Sequence, residues 1–346
     1  MARNKRRSDP YNQPGLFDSV PDEPSVVPGD FEMPSLTGGE APSQLPPPEL
    51  LESPLGELAR PNTINRFRFI SFGSGSSGNC AYIGNDHSGL LIDAGVDSAH
   101  VAGELRRQGI SMDKVKGIIL THDHGDHTRY AYNILRNNRH MALYATPRAF
   151  NGMLRRHSVS RRIKDYHHPV YKEIAFHVDD FTITPFEVMH DGTDNVGFLV
   201  SLGEGAVRFV VATDLGVISE RAHFYMAQAT ALMLESNYDA VMLREGHYPE
   251  YLKARIAAAN GHLDNADTAR WLRDNYSPQL KHVFLCHLSH DNNTPEIALA
   301  SARQALIDGG ASSVGDGTMS LESRQAPVQL VALPRFDPSP MFIIRY

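Results

Sequence analysis

With 346 residues, 41% hydrophobic and 21% charged, the chain is long enough to bury a sizeable core and has the make-up of a soluble globular protein. Its formal net charge of −7 excludes a global basic field, so any attraction for nucleic acid must come from local patches. Its two cysteines, Cys80 and Cys286, lie far apart inside apolar segments, which excludes a disulfide framework and fits a reducing, cytoplasmic setting.

Residues 1–62 hold 12 of the 22 prolines and 10 acidic against 5 basic residues. Such a segment cannot bury enough apolar surface to offset its ordering entropy, and it reads as a disordered tail. Arg3, Lys5, Arg6 and Arg7 open it, but no apolar stretch of a secretory signal follows. One apolar island interrupts it, Gln13-Pro14-Gly15-Leu16-Phe17. The remaining domain, residues 63–346, is nearly neutral, with 28 basic and 30 acidic residues. No run in the chain approaches the roughly 18 apolar residues of a membrane span.

Folded structure is expected from near Asn65. Residues 66–72 alternate with period two, as a half-buried strand does, and a glycine-serine turn follows from Gly73 to Gly78. Residues 80–83 and 90–93 read as strands around a polar turn at Asn85-Asp86. Residues 101–108 read as a helix, 115–120 as a buried strand, and 126–136 as a second helix. Strand-like runs then cover 181–189, 196–202, 206–212, 232–235 and 283–286, with helical patterns at 249–259, 265–274 and 295–307. Two groups of strands with helices between and after them predict an α/β fold, a four-layer αββα sandwich.

The strand at 115–120 runs into Thr121-His122-Asp123-His124-Gly125-Asp126-His127. His122 and His124, two apart, point the same way on an extended backbone and can converge on one ion. Asp126 and His127 are displaced enough to serve a second. Imidazole with carboxylate suits zinc, and manganese favours the oxygen ligands more strongly. A polar loop with incidental histidines is the alternative, and four ligand-type residues within six positions argue against it.

His-x-His-x-Asp-His after a strand, preceded by Leu91-Ile92-Asp93-Ala94-Gly95, resembles the metallo-β-lactamase fold superfamily over essentially residues 65–335. The resemblance implies His122, His124, His190 and Asp214 on one cation. It implies Asp126, His127, Asp214 and His287 on the other, with Asp93 behind them orienting a ligand histidine. Asp214 stands where true β-lactamases of the best-known class place a cysteine, which matches glyoxalase-II-like enzymes and nucleases. Cys286 is expected to be a packed core thiol.

Two cations can activate water and stabilise charge developing on a phosphoryl group, but they serve thioesters and amides equally well. Three further features choose among substrates. Ser74, Ser76, Ser77 and Asn79, in a Gly/Ser loop, are candidate phosphate contacts, with a plain hairpin turn as the alternative. Gly261-His262-Leu263-Asp264-Asn265 resembles the histidine motif of transfer-RNA 3′-processing nucleases, which implies His262 as proton donor to the leaving oxygen and Glu235 as the carboxylate holding it. These pieces, combined with Ser236-Asn237-Tyr238-Asp239, His287-Leu288-Ser289 and Asn292-Asn293, are similar to the YycJ (WalJ) branch, bacterial proteins regarded as exonuclease-like. Asp264 departs from the small hydroxyl residue expected there. Arg155, Arg156, Arg161 and Arg162, with Lys164, form a basic cluster that could track a phosphate backbone; a solvated face is the alternative.

The tail peptide with Gln13, Leu16 and Phe17 resembles the motif by which bacterial proteins dock on the sliding clamp of replication. The resulting expectation is a cytoplasmic hydrolase with two divalent metal ions, zinc or manganese. It cleaves DNA from a 5′ end in replication or repair, with Asp126, His262 and Glu235 as catalytic residues. An RNA-processing nuclease, a glyoxalase-II-like thioesterase and a non-catalytic clamp-docking regulator are the rivals.

Overall fold

A computed structural model of the protein describes residues 66–345. The expected tail and its Gln13, Leu16 and Phe17 lie outside the described residues.

The alternating run that opens the domain forms β1 (Arg66–Gly73). It is followed into the same sheet by β2 (Cys80–Gly84), β3 (Gly89–Ile92), β4 (Val115–Ile119), β5 (Ala142–Ala145) and β6 (His167–Pro169). A second sheet takes β7 (Phe176–Val178), β8 (Phe181–Glu187), β9 (Val196–Leu202), β10 (Val207–Ala212), β11 (Ala231–Glu235), β12 (His282–Cys286), β13 (Val314–Gly315) and β14 (Val328–Ala332). The chain then returns to the first sheet as β15 (Phe342–Arg345), which pairs antiparallel with β1 and forms that edge of the sheet. Phe342 and Ile344 enter the core there while Ile343 stays half exposed.

Period-two alternation decides which residues face which layer. Phe67, Phe69, Ala81, Ile83, Leu90 and Ile92 of the first sheet meet Phe198, Val200, Phe209, Val211, Met233 and Phe284 of the second in one core between the sheets. The Phe69 ring lies 4.5 Å from that of Phe284 and 5.0 Å from that of Phe209. The opposite faces are apolar too, which is why these strands read as nearly continuous hydrophobic runs. Ile70, Phe72, Tyr82, Leu91 and Ile118 pack outward under α1 (Ser98–Arg107), α3 (Ala131–Asn137) and α4 (Pro147–Arg156), with the one-turn α2 (Gly125–Thr128) between the first two. Leu199, Val210, Leu232, Leu234, Val283 and Leu285 pack outward under α5 (Glu220–Met226), α8 (Asn265–Asn275) and α9 (Pro295–Asp308). The shorter α6 (Ala240–Glu245), α7 (Glu250–Ile256) and α10 (Leu321–Gln325) complete the chain. The result is the αββα sandwich, with Cys286 fully buried in its central layer.

Local chemistry sets the helix ends. Thr146 caps α4 and Thr294 caps α9, each with proline in the first turn, where its missing N–H costs nothing. Asp264 caps α8 by accepting from the Asp267 N–H, so it serves the capping role a hydroxyl residue would have there. The single helix expected over 126–136 is instead broken. Ala94 donates its N–H to His127 O at 2.7 Å and accepts from Tyr130 N at 2.9 Å, and these tertiary bonds interrupt the helical ladder between α2 and α3. The helix expected over 249–259 stops at Ile256, whose carbonyl accepts from His262 N at 2.9 Å. Among the described residues no helix is long and apolar enough to cross a membrane.

Candidate metal centre

The candidate ligands and their supporting carboxylates sit at or just past the carboxyl ends of strands. Asp93 follows β3, the segment 121–127 follows β4, His190 follows β8, Asp214 follows β10, Glu235 ends β11 and His287 follows β12. Within each sheet these strands run the same way, since β3 and β4 pair in parallel, as do β10, β11 and β12. The tightest turns of the site carry backbone strain. Asp93, Asp214 and His287 have φ of 60°, 54° and 54°, a left-handed region that disfavours residues with a Cβ. Such geometry costs on the order of 1–3 kcal/mol per residue and persists only where surrounding bonds over-determine it. Here they do: His287 N donates to Ser74 Oγ at 2.9 Å and His287 O accepts from Asn237 Nδ2 at 2.6 Å.

Two donor sets converge. His122, His124 and His190 form one, and Asp126, His127 and His287 form the other, with the ligand atoms of each set within 4.8 Å of one another. The Asp214 carboxylate lies between them, Oδ2 3.4 Å from His127 Nε2 and Oδ1 3.8 Å from His190 Nε2.

Four of the five imidazoles engage Nδ1 outside the centre and turn Nε2 inward. His122 Nδ1 meets Thr121 Oγ1 at 3.0 Å, and His127 Nδ1 meets Asp93 Oδ2 at 2.8 Å. His190 Nδ1 meets Gly261 O at 2.9 Å, and His287 Nδ1 meets Glu235 Oε1 at 2.8 Å. His124 is reversed, with Nδ1 3.3 Å from His190 Nε2 and Nε2 3.4 Å from Asp191 Oδ1. The Nε2 atoms of His122 and His287 are buried without a hydrogen-bond partner among the described residues. A buried polar atom left unpaired costs free energy, and these two point at shared centres among carboxylates and other imidazoles. That donor arrangement, each histidine fixed from behind, fits two divalent cations.

Electrostatics divide the imidazoles. Burial lowers the pKa of His122 well below the usual histidine range and that of His124 to about 4, so both present neutral imidazoles. Burial also disfavours charge on His127, but Asp214, Asp126 and Asp93 outweigh it and hold His127 up to about 9. Burial would raise the carboxyls of Asp126, Asp214 and Glu235; the neighbouring imidazoles overcome it and keep all three low, hence ionised at neutral pH.

Glu235 is fully buried and accepts four bonds. Oε1 takes His262 Nδ1 and His287 Nδ1, each at 2.8 Å, and Oε2 takes Leu215 N at 2.8 Å and Leu263 N at 3.3 Å. His262 is thereby held beside Asp214 and His287, close enough to form a further donor group with them and Glu235, and its other ring nitrogen makes no hydrogen bond with any described residue. The motif around Asn237 and Asn293 forms a polar knot beneath, in which Asn293 Nδ2 donates to Ser236 O and Asn237 O.

The Gly/Ser loop departs from expectation. Ser74 is buried with its hydroxyl bound to His287 N, so it braces a candidate ligand and does not offer itself to a phosphate. Asn79 is buried too, its Nδ2 3.1 Å from Asp126 Oδ2 and 2.9 Å from His127 Nε2. Ser76 and Ser77 remain exposed at the tip. Arg155 and Arg156 are exposed at the end of α4, and Arg156 Nε lies 3.5 Å from Asp123 of the metal loop. Arg161 and Arg162 are exposed on a 3-10 turn (Arg161–Tyr166).

Three supporting residues were not read from the sequence. Asp123, fully buried between the candidate ligands His122 and His124 in sequence, accepts from Thr193 N at 2.9 Å and Thr193 Oγ1 at 2.6 Å, tying the 121–127 loop to the segment after His190. Asp191 backs His124 and is itself gripped by Arg255, at 2.9 and 2.7 Å. Arg335 donates to Leu288 O at 2.8 Å and to Ser76 Oγ at 2.5 Å, clamping the Gly/Ser loop to the segment after His287. The first two adjoin candidate ligand histidines, which was the available signal; Arg335 had none.

Residues 89–287 match the model of the beta-lactamase superfamily domain. The chain is 31% identical over 248 residues to exodeoxyribonuclease YycJ of Bacillus anthracis, covering 70% of this chain and 90% of that protein. It is 29% identical over 232 residues to exodeoxyribonuclease WalJ of Streptococcus pneumoniae, covering 67% and 85%. Among solved structures, the metallo-beta-lactamase fold protein YhfI from Bacillus subtilis superimposes with a TM-score of 0.56 at 12% identity, over 80% of this chain and all of that one, a likeness of fold.

Proposed function

We propose that this chain, which belongs to the beta-lactamase superfamily, is a two-metal nuclease that hydrolyses DNA in replication or repair, working from a 5′ end. The observation that carries the reading is the Glu235–His262 pair set beside the two donor sets. An ionised carboxylate can only accept, so His262 donates Nδ1–H to Glu235, and its remaining nitrogen is the one that can hand a proton to a leaving group. A phosphodiester expels an alkoxide, which needs that proton; a thioester expels a far weaker base, which does not. The pair therefore supports phosphodiester over thioester chemistry.

Divalent cations on the two sets would supply activation of water and stabilisation of charge on the phosphoryl oxygens. The His122, His124 and His190 set suits zinc, and the carboxylates of Asp126 and Asp214 also admit manganese. Asp126, held ionised by His127 and His287, orients the attacking water and accepts its proton. The relatives' names support DNA over RNA. A cytoplasmic setting, and docking on the sliding clamp through Gln13, Leu16 and Phe17, complete the reading.

The test is direct. Purified protein with Mn²⁺ or Zn²⁺ is given 5′- and 3′-labelled DNA and RNA, with Asp126→Ala as control. Metal-dependent release of nucleotides from the 5′ end of DNA is expected. No cleavage of any substrate would sink the nuclease reading, and faster cleavage of RNA would overturn the choice of DNA. Deleting residues 13–17 should abolish clamp binding while sparing hydrolysis of short duplexes; unchanged clamp binding would refute the docking.

A further inference from the structure

Charge is segregated in this domain to a degree its near-neutral total conceals. Residues 136–168 contain eight Arg and Lys and a single acidic residue, Asp165. Of those eight side chains only Arg156 reaches a carboxylate, Asp123; the others make no ion pair with any described residue. Unpaired cations at this density repel one another, so the arrangement is costly unless an anion shares it.

The fold lays six of these eight charges along one path. Arg156, at the end of α4, touches the metal loop, and the next residue, His157, donates to Asp123 O at 2.8 Å. From there the chain descends through the 3-10 turn with exposed Arg161, Arg162 and Lys164, to β6, whose first residue pairs with Leu143 of β5. Beside that turn ends α3, and Arg136 and Arg139 meet Arg162 and His168 around an open cleft of about 780 Å³ whose walls also include Tyr132, Tyr166 and one carboxylate, Asp165. The cleft lies toward the amino ends of β5 and β6, whereas the metal loop follows the carboxyl end of β4, which is parallel to β5. About one strand length, roughly 17 Å for five residues, separates them.

We infer that residues 136–168 form a track for the sugar-phosphate backbone of a single nucleic-acid strand, which starts beside the metal loop and is anchored in the cleft by Arg136, Arg139 and Arg162. The guanidinium groups hold phosphates, while Tyr132 and Tyr166, packed against the core, form the floor beneath them. This rests on the nuclease reading and deepens it. A strand whose end lies at the metals keeps its next several phosphates on the track, so affinity grows with strand length.

The test measures binding of fluorescent oligothymidylates of 5 and 25 nucleotides to the metal-loaded full chain, with phosphorothioate linkages to block cleavage. The parent should bind the longer strand more tightly. Arg136→Glu with Arg139→Glu should weaken the 25-mer by about tenfold or more, leave the 5-mer nearly as before, and flatten the salt dependence by about 0.7 in logarithmic slope per lost phosphate contact. Arg136→Lys with Arg139→Lys should stay close to the parent, which separates lost charge from lost fold. Parental 25-mer affinity and salt slope in the glutamate variant would overturn the track. Length-dependent binding without cleavage of any unmodified strand would sink the nuclease reading and leave the track standing, so the two failures are distinguishable.

Discussion

Glu235 Oε1 lies 2.8 Å from His262 Nδ1, and the same oxygen lies 2.8 Å from His287 Nδ1. One buried carboxylate thus steadies both a candidate metal ligand and a candidate proton donor. The two roles separate by mutation. His262→Ala should lower turnover roughly a hundred- to ten-thousand-fold while bound metal stays at the parental level. Glu235→Gln should lower turnover and also weaken metal binding by about 10–100-fold, because His287 loses the partner that orients it. Steady-state kinetics with elemental analysis would check both. Metal loss in His262→Ala would make His262 a ligand or structural residue.

Asp93 combines a left-handed φ of 60° with a 2.8 Å contact to His127 and bonds from Thr121 N and Oγ1. Asparagine tolerates that backbone and alanine does not. Asp93→Asn should therefore keep the fold and weaken metal binding by about 10–100-fold. Asp93→Ala should in addition lower the melting midpoint measured on metal-free protein. Equal midpoints for the two variants would show that the backbone conformation is not what the side chain protects.

Much of this was legible in the sequence, for identifiable reasons. The strands that became β9, β10, β11 and β12 are buried on both faces, so they appear as short apolar runs with sharp ends. The His122–His127 cluster is local, and a local pattern survives without knowledge of the fold. His190, Asp214 and His287 came only through the family resemblance, since nothing in a lone histidine after a strand distinguishes a ligand. What stayed hidden depends on tertiary contact. Ser74 turned inward because His287 N needed an acceptor. The break between α2 and α3 comes from the 93–95 segment docking on the helix, which no propensity encodes. β5, β6 and β7 are only 3 or 4 residues long, too short for a period to show.

That docking makes Gly95 a second testable point. A Cβ built on Gly95 would stand 1.5 Å from the backbone oxygen of Asp126 and 2.7 Å from Asn79 N. Neither atom belongs to a flexible side chain, so the loop carrying the ligands must move. Gly95→Ala should cost about 1–3 kcal/mol or more in stability and reduce metal content along with it. Urea unfolding and metal analysis would measure the pair. A variant with parental stability and parental metal would mean the 93–95 segment does not brace the centre.

The last prediction concerns pH and a residue at the far end of a ligand strand. His282 opens β12, five positions before His287; burial first, and then Lys281, lower its pKa from 6.5 to about 4. Its Nδ1 is buried with no hydrogen-bond partner among the described residues, so no acceptor there compensates a proton. The unfolded chain takes up a proton below about 6.5, whereas the folded protein resists until about 4. Stability from this residue is therefore complete above 6.5 and is lost progressively as pH falls toward 4. Between pH 7.5 and 5.0 the loss should be on the order of 2 kcal/mol, at 1.36 kcal/mol per pH unit below the unfolded value. His282→Gln removes the titration, so the variant should lose about that much less stability over the same interval. Urea midpoints on metal-free protein, which keeps ligand protonation common to both chains, give the comparison. Identical pH slopes would show that His282 charges as readily in the folded protein as in the open chain.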